Sequence, residues 1–348
     1  MLQQLRSFFT RQCSSLTYLN VTQFLGAMND NIFKLVIAYY LIDIQGAKNS
    51  ETILATAGAV FVLPFLLFSA SSGTLADRWS KRNIIVSAKF LEVLIMALGI
   101  WAFQVESPMG CYVILFLMAT QSAYFGPSKY GIVPEIVTSD RISKANGLLT
   151  MFTFLAIIVG TFLASFITQV SGRDFIIAAM LCTCVALAGF ISSFYISYTP
   201  PAGSDKKLNP LVPYVIYSTL KKASERHCLL TAAFGSAYMM FIGAFFQLNI
   251  IPFAMQCLHL SDVEGGYLFL LTALGIGTGS VLAGKLSGRF VELGLVPFAG
   301  IGIILCYFGI DYYSESLSAA IILTLLVGVF GGIFVIPFDT FIQVTSPN

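Results

Sequence analysis

The chain has 348 residues, of which 57% are hydrophobic and only 10% charged, against roughly 25% charged in ordinary soluble domains. With a mean hydropathy of +0.84, it carries more apolar surface than a soluble core of this length could hide, so the expected solvent is a bilayer. The net charge of +2 says little as a total, its distribution says more, and no nucleic-acid partner is expected.

Windows long enough to cross about 30 Å of hydrocarbon occur at Thr17–Leu41, Ile53–Ala76, Ile84–Phe103, Cys111–Phe125 and Leu148–Val170. Five more follow at Phe175–Tyr198, Cys228–Ile251, Gly266–Leu286, Leu295–Tyr312 and Ser318–Phe338. The predicted architecture is therefore all-α and polytopic, with ten spans. Arg6 and Arg11 ahead of the first window imitate a signal peptide. The run is too long for one, contains Asn29-Asp-Asn31 and lacks a small-residue cleavage site, so a retained first helix is expected.

Within that helix Asp30 falls near the middle, where an acid costs roughly 2.5–3.5 kcal/mol on insertion scales. Lys34, four residues on, shares its helical face, so the two can pair. Asn29 and Asn31 flank the acid. Two readings stand side by side: a self-neutralising pair that eases insertion, or a polar face lining a cavity, as intramembrane ionisable groups usually do.

Between the second and third windows lies Gly73-Thr-Leu-Ala-Asp-Arg-Trp-Ser-Lys-Arg82. A basic cluster with one acid at this place is expected to be a charged loop that marks its side of the membrane as cytoplasmic. Lys89 and Glu92, three apart on the third helix, raise the same question as Asp30 and Lys34, although Lys89 is near enough to the helix end to snorkel. In the fourth segment Gly126-Pro127 is followed by Gly131 and Pro134. These breakers are expected to end the helix and expose backbone groups near the inner mouth. Lys129 and Tyr130 would then sit at headgroup level, either as an interfacial anchor or as partners of a phosphate and a glycerol backbone.

The stretch Pro200–His227 interrupts the short loops. It carries Pro200-Pro201, Lys206-Lys207 and Lys221-Lys222, and reads as a cytoplasmic connector with an amphipathic helix near anionic headgroups. The expected organisation is an N-terminal bundle of six helices over 1–199, a linker over 200–227, and a four-helix bundle over 228–348 that is two helices short of the first. Repetition supports the division. Gly284-Lys-Leu-Ser-Gly-Arg289 follows the eighth helix as Gly73-Thr-Leu-Ala-Asp-Arg78 follows the second. Val335-Ile-Pro-Phe-Asp339 follows the tenth as Phe125-Gly-Pro-Ser-Lys129 follows the fourth. With the N-terminus inside, 15 of the 19 Lys and Arg residues lie on cytoplasmic segments and only Lys48 and Arg173 on outer loops, a strong positive-inside bias.

Other signals are weaker. Gly279-Ser-Val-Leu-Ala-Gly-Lys-Leu286 nearly spells a phosphate-binding loop, but Leu286 replaces the required Ser or Thr, so helix packing by Gly275, Gly279 and Gly284 is preferred. Neither histidine completes the H-x4-D of an acyltransferase, since Ala232 stands at the Asp position after His227 and Glu264 after His259, and no metal cluster or cofactor site is expected. The seven cysteines, Cys182-Thr-Cys184 included, read as small packing residues.

The motif G-x-L-x-D-R-x-x-K/R-R at Gly73–Arg82 resembles the loop signature of the major facilitator superfamily. Within it the chain resembles the bacterial lysophospholipid transporters, which occur alone or fused to acyltransferase and acyl-carrier-protein ligase domains. Phe24-Leu-Gly-Ala-Met-Asn-Asp-Asn31 is similar to that family's F-L-x-A-F-G-D-N, and Pro127-Ser-Lys-Tyr-Gly-Ile132 to its P-A-K-Y-G-I. Lys144-Ala-Asn-Gly-Leu148 matches K-A-N-G-L, and Gly331-Gly-Ile-Phe-Val-Ile-Pro337 resembles G-G-F-F-V-V-P. Asn29 stands where the family has Gly, and Asp339 where Asn is usual. The resemblance implies a multi-pass protein of a bacterial inner membrane that moves a lysophosphatidylethanolamine-like lipid from the outer to the inner leaflet. It implies substrate contacts at Asp30, Lys34, Asn29, Asn31, Lys129 and Tyr130, and an inside gate at Gly73, Asp77, Arg78 and Arg82. Membrane lipids and an acyltransferase or acyl-carrier-protein ligase are the implied partners. The competing expectations are a proton-coupled exporter of drugs or small metabolites, and the membrane portion of a fused acyltransferase.

Overall fold

Serine and aspartate at the junctions set where helices begin. Ser80 accepts from the Asn83 amide at 3.4 Å, Ser107 from Gly110 at 3.0 Å, and Ser316 from Ala319 at 3.4 Å. Asp174 accepts from the amides of Ile176 and Ile177 at 3.0 and 3.2 Å. Each pairs donors that a first helical turn leaves without partners. Between such caps the apolar windows run uninterrupted. The structure, a computed structural model, describes residues 2–46, 49–204, 212–226, 228–260, 262–287 and 291–346. Lys48, Lys206, Lys207, His227 and Arg289 lie outside the described residues, as does most of the predicted linker's polar stretch.

The described residues form α1 (Leu2–Gln45), α2 (Ser50–Arg78), α3 (Lys81–Gln104), α4 (Pro108–Gly131), the short α5 (Val133–Ile136), a 3-10 turn (Ser139–Arg141) and α6 (Ile142–Val170). They continue with α7 (Phe175–Ser193), α8 (Val212–Ser224), α9 (Leu229–Gln256), α10 (Asp262–Leu286), α11 (Leu295–Tyr312) and α12 (Leu317–Thr345). The fold is all-helical, as expected. Eight helices are long and apolar enough to cross a membrane among the described residues. The two other expected spans, Thr17–Leu41 and Gly266–Leu286, lie within α1 and α10. The predicted amphipathic helix of the connector appears as α8, with Lys221 and Lys222 in its last turn.

Three boundaries differ from expectation, the two at proline for one reason. The Gly73–Arg82 segment is not a ten-residue loop: α2 runs to Arg78 and α3 starts at Lys81, leaving Trp79 and Ser80 as the junction. Gly126-Pro127 does not end α4, which continues to Gly131, and Pro337 lies inside α12, which continues to Thr345. A proline inside a helix forfeits one backbone hydrogen bond. Stopping the helix there would leave several backbone groups without partners in a medium that supplies none, each costing several kcal/mol. Continuation is the cheaper outcome.

Two compact units emerge. The first comprises Met1–Ile136 and Ala156–Ser218, the second Val137–Leu155 and Thr219–Pro347. In the first, Met28, Phe33, Ile37 and Leu41 of α1 bury against Met96 and Phe103 of α3, Leu115 and Met118 of α4, and Ala178 and Cys182 of α7. Tyr40 packs edge-on against Phe103 and Phe175, with ring centroids 4.6 and 5.2 Å apart, and its hydroxyl donates to the Phe103 carbonyl at 3.3 Å. Cys182 is buried, whereas Cys184 is exposed. Two residues turn a helix by about 200°, so this pair splits between opposite faces.

In the second unit α10 and α12 meet at backbone distance. A Cβ on Gly279 would sit 2.7 Å from the Val329 carbonyl carbon, one on Gly275 2.9 Å from Gly328 Cα, and one on Gly332 2.6 Å from the Ser280 amide nitrogen. Gly284 packs in the same way on α6, 2.9 Å from Lys144 Cα. The near-P-loop segment is thus a helical packing seam, as small residues supply in membranes. We expect Gly279→Ala to destabilise the protein by about 1–3 kcal/mol through overpacking, read as a lower thermal midpoint in detergent. Gly58→Ala, where an added methyl meets no atom within 4 Å, should leave the midpoint unchanged. Equal effects would remove the seam from the account.

Candidate functional site

Polar side chains of the first unit gather on the facing sides of α1, α3 and α4. Asp30 Oδ2 accepts from Ser122 Oγ of α4 at 2.6 Å, and its other oxygen, Oδ1, is buried and accepts no hydrogen bond among the described residues. Ser122 Oγ is also 3.0 Å from Gln121 Oε1. A hydroxyl has one proton, and the shorter, charge-assisted contact to the carboxylate claims it. Lys34 does not reach Asp30 within ion-pair distance. Its Nζ lies 3.5 Å from Asn31 Oδ1 and 5.0 Å over the ring of Phe61 on α2. The expected Asp30–Lys34 pair is therefore replaced by two separate arrangements. Each group found a partner on its own side, the acid on α4 and the ammonium against α2.

Asn29 and Asn31 point differently. Asn31 Nδ2 donates back to the Ala27 carbonyl at 2.8 Å, a bond within α1. Asn29 is 0% exposed and donates to Glu92 Oε1 of α3 at 3.1 Å. The second oxygen of Glu92 takes Lys89 Nζ at 2.5 Å, and that ammonium also lies 4.7 Å over the Phe125 ring. Lys89 and Glu92 are 2% and 1% exposed, so Lys89 is held inside and does not snorkel. Room for it comes from one glycine. A Cβ on Gly26 would overlap Lys89 Nζ, whereas one on Gly189 of α7 would make only ordinary contact, 3.8 Å from Lys89 Cδ. A bare α1 surface at Gly26 and the carboxylate beneath it make the interior position available. Nothing in the sequence announces this role for Gly26.

Lys129 of α4 is half-buried rather than splayed at a helix end. Its Nζ lies 3.4 Å from Gln23 Oε1 of α1 and 4.6 Å over the ring of Tyr130. The α1–α4 face thus carries, in order, Gln23 with Lys129 and Asp30 with Ser122. Gln23 and Ser122 were not singled out from the sequence. A polar residue one or two helical turns from Asp30 was the available signal for Gln23; nothing local marked Ser122.

At the α2–α3 junction the four expected gate residues have different surroundings. Gly73 has no atom within 4 Å of an added Cβ, and Arg78 is exposed in the last turn of α2. The Asp77 carbonyl accepts from the Ser204 amide at 3.3 Å. Arg82 donates to the Phe194 carbonyl at 3.1 Å and stacks 5.8 Å over that ring. An ion pair near this junction joins Lys81 to Glu135 of α5, a partner not singled out from the sequence. Among the described residues no group of three or more His, Cys, Asp or Glu could hold a metal.

A model described as the Major Facilitator Superfamily matches residues 19–348. The chain belongs to the major facilitator superfamily. It is a multi-pass membrane protein of a transporter family rather than an enzyme. Among its relatives are the lysophospholipid transporters LplT of Photorhabdus laumondii, 25% identical over 93% of this chain and 78% of the relative, and of Citrobacter koseri, 28% identical over 92% and 78%. The human organic anion transporter MFSD10 is similar in structure, with TM-score 0.77 at 13% identity, covering 95% of this chain and 86% of that one. The Escherichia coli fucose:proton symporter FucP follows with TM-score 0.70 at 16% identity, covering 95% and 88%. At such identities these structures support the fold.

The buried Lys89–Glu92 pair makes a sharp prediction. Removing one member of a buried ion pair strands the other charge and costs about 3–5 kcal/mol, whereas replacing both with apolar groups is often neutral. Lys89→Met and Glu92→Leu should each lower thermal stability in detergent markedly, and the double variant should recover most of the loss. Additive losses would show that the two side chains act independently.

Proposed function

We propose that this protein is a secondary transporter of lysophospholipid, moving a lysophosphatidylethanolamine-like lipid from the outer to the inner leaflet of a bacterial inner membrane, with its N-terminus in the cytoplasm. The observation that carries the reading is Asp30, an intramembrane carboxylate with one oxygen held by Ser122 and the other buried without a donor among the described residues. An intramembrane ionisable group without a charged partner is a functional-site candidate, and an ammonium headgroup is the complementary ligand for such an oxygen. The relatives named as lysophospholipid transporters, matched over 92–93% of the chain, point to the same cargo.

In this reading Asp30 takes the headgroup ammonium, Lys129 or Lys34 the phosphate, and Asn31 and Tyr130 contribute polar contacts beside them. Asn29, turned toward Glu92, acts behind Asp30 by holding α1 against α3. A single acyl chain needs an apolar flank, which the surrounding Phe and Leu side chains offer. Six helices over 1–199 and those beyond residue 228 would form the two bundles of an alternating-access cycle, with Gly73, Asp77, Arg78 and Arg82 as the inside gate. An acyltransferase or acyl-carrier-protein ligase is the natural consumer of the delivered lipid.

The test is reconstitution of the full chain into vesicles with labelled lysophosphatidylethanolamine. Asp30→Ala should abolish leaflet-to-leaflet transfer while leaving the protein inserted, and Ser122→Ala should slow transfer by about tenfold or more, as loss of one charge-assisted hydrogen bond predicts. Unchanged transfer in Asp30→Ala removes that residue from the mechanism. Transfer driven by a pH gradient and abolished by uncoupler would favour a proton-coupled exporter instead.

A further inference from the structure

The second unit holds an intramembrane carboxylate for which the transport reading assigns no role. Asp339 stands on α12 two residues after Pro337, the place that Lys129 occupies on α4 two residues after Pro127. Its Oδ1 accepts from Ser236 Oγ of α9 at 2.9 Å. Among the described residues no Lys, Arg or His nitrogen comes within 4.0 Å of it. The polar side chains beside it are engaged with one another: Asn146 Nδ2 donates to Thr340 Oγ1 at 3.1 Å, and Asn146 Oδ1 accepts from Gln343 Nε2 at 3.2 Å.

The same chemistry occurs in the first unit with the helices exchanged. There the acid is on α1 (Asp30) and the hydroxyl on α4 (Ser122), 2.6 Å apart. By the internal repeat α9 corresponds to α1 and α12 to α4, so here the hydroxyl is on the first helix and the acid on the last. Each unit therefore has one carboxylate tied to one serine hydroxyl across an equivalent helix pair. A serine donor alone would be served equally well by a neutral amide. What a carboxylate adds is charge, at a cost that membrane interiors seldom tolerate without a function. A carboxylate with one oxygen fixed by a neutral donor and no cation of its own is complementary to an ammonium, which offers three donors and a positive charge.

We propose that Asp339, oriented by Ser236, is a second recognition point for the ammonium of a zwitterionic single-chain lipid, and selects against headgroups that lack one. The proposal rests on the lysophospholipid reading and adds headgroup selectivity to it. Asp339 lies six residues before the end of α12, about 9 Å at the helical rise. It therefore meets the headgroup near one end of that span.

Native mass spectrometry of the full chain in detergent, titrated with lysophosphatidylethanolamine and with lysophosphatidylglycerol, tests it. Asp339→Asn keeps the shape and the acceptor for Ser236 but removes the charge. It should weaken binding of the ethanolamine lipid by about tenfold or more, the scale of one charged contact, and leave the glycerol lipid nearly unchanged, which also shows that the variant is folded. Asp339→Glu should keep the preference, and Ser236→Ala should reduce it. An equal loss for both lipids, or no change for either, overturns the selectivity role while leaving the cargo reading in place. Failure of the wild-type protein to bind either lipid overturns both.

Discussion

A bilayer core supplies no water, so every polar group placed in it must find its partner within the protein. That constraint governs the backbone first. It carries α4 through Pro127 and α12 through Pro337, where the same residues in a soluble loop would have ended the helix. Helix ends are left to serine and aspartate caps, which close the first turns locally and keep the connections short.

Applied to side chains, the constraint sorts the polar residues by what they hold. Lys89, Glu92 and Asn29 form a closed set: the charges cancel, the amide bridges two helices, and Gly26 leaves the lysine end a place to lie. Asp30 and Asp339 are open by comparison, each with a single serine donor. A closed set suits a joint between helices that stay together. An open carboxylate suits a ligand that comes and goes. The distinction separates groups that looked alike in sequence, where Lys89–Glu92 and Asp30–Lys34 were both acid and base one helical turn apart.

Much of the fold was legible in the sequence because hydrophobic runs and their length report directly on spans. The helical character of every expected span, the amphipathic α8 and the glycine packing of α10 followed from periodicity and small-residue spacing. Boundaries at proline were misjudged because the rule that proline ends helices assumes a solvent able to satisfy freed backbone groups. The site was only half visible. Asp30 stands out as a charge inside an apolar run, whereas Ser122 and Gln23 are ordinary residues that become informative once α4 lies beside α1. Spacing on one helix suggested that Lys34 would answer Asp30, but neighbouring helices offered each a better contact. The Lys81–Glu135 pair joins residues 54 positions apart, a separation that no local pattern encodes.

The seam between α10 and α12 has a mechanical meaning. Side chains that interlock can change rotamer and let helices slide by small steps, but here backbone rests on backbone at Gly275, Gly279, Gly328 and Gly332. Moving either helix along the other would drive a Cβ-bearing residue into the position of a glycine. The pair is therefore keyed to one axial offset and behaves as a single stiff strut within its unit. Any flexing that the second unit undergoes must be taken up by α9 and α11, whose contacts with the strut are made by Phe, Tyr and Leu side chains that can yield.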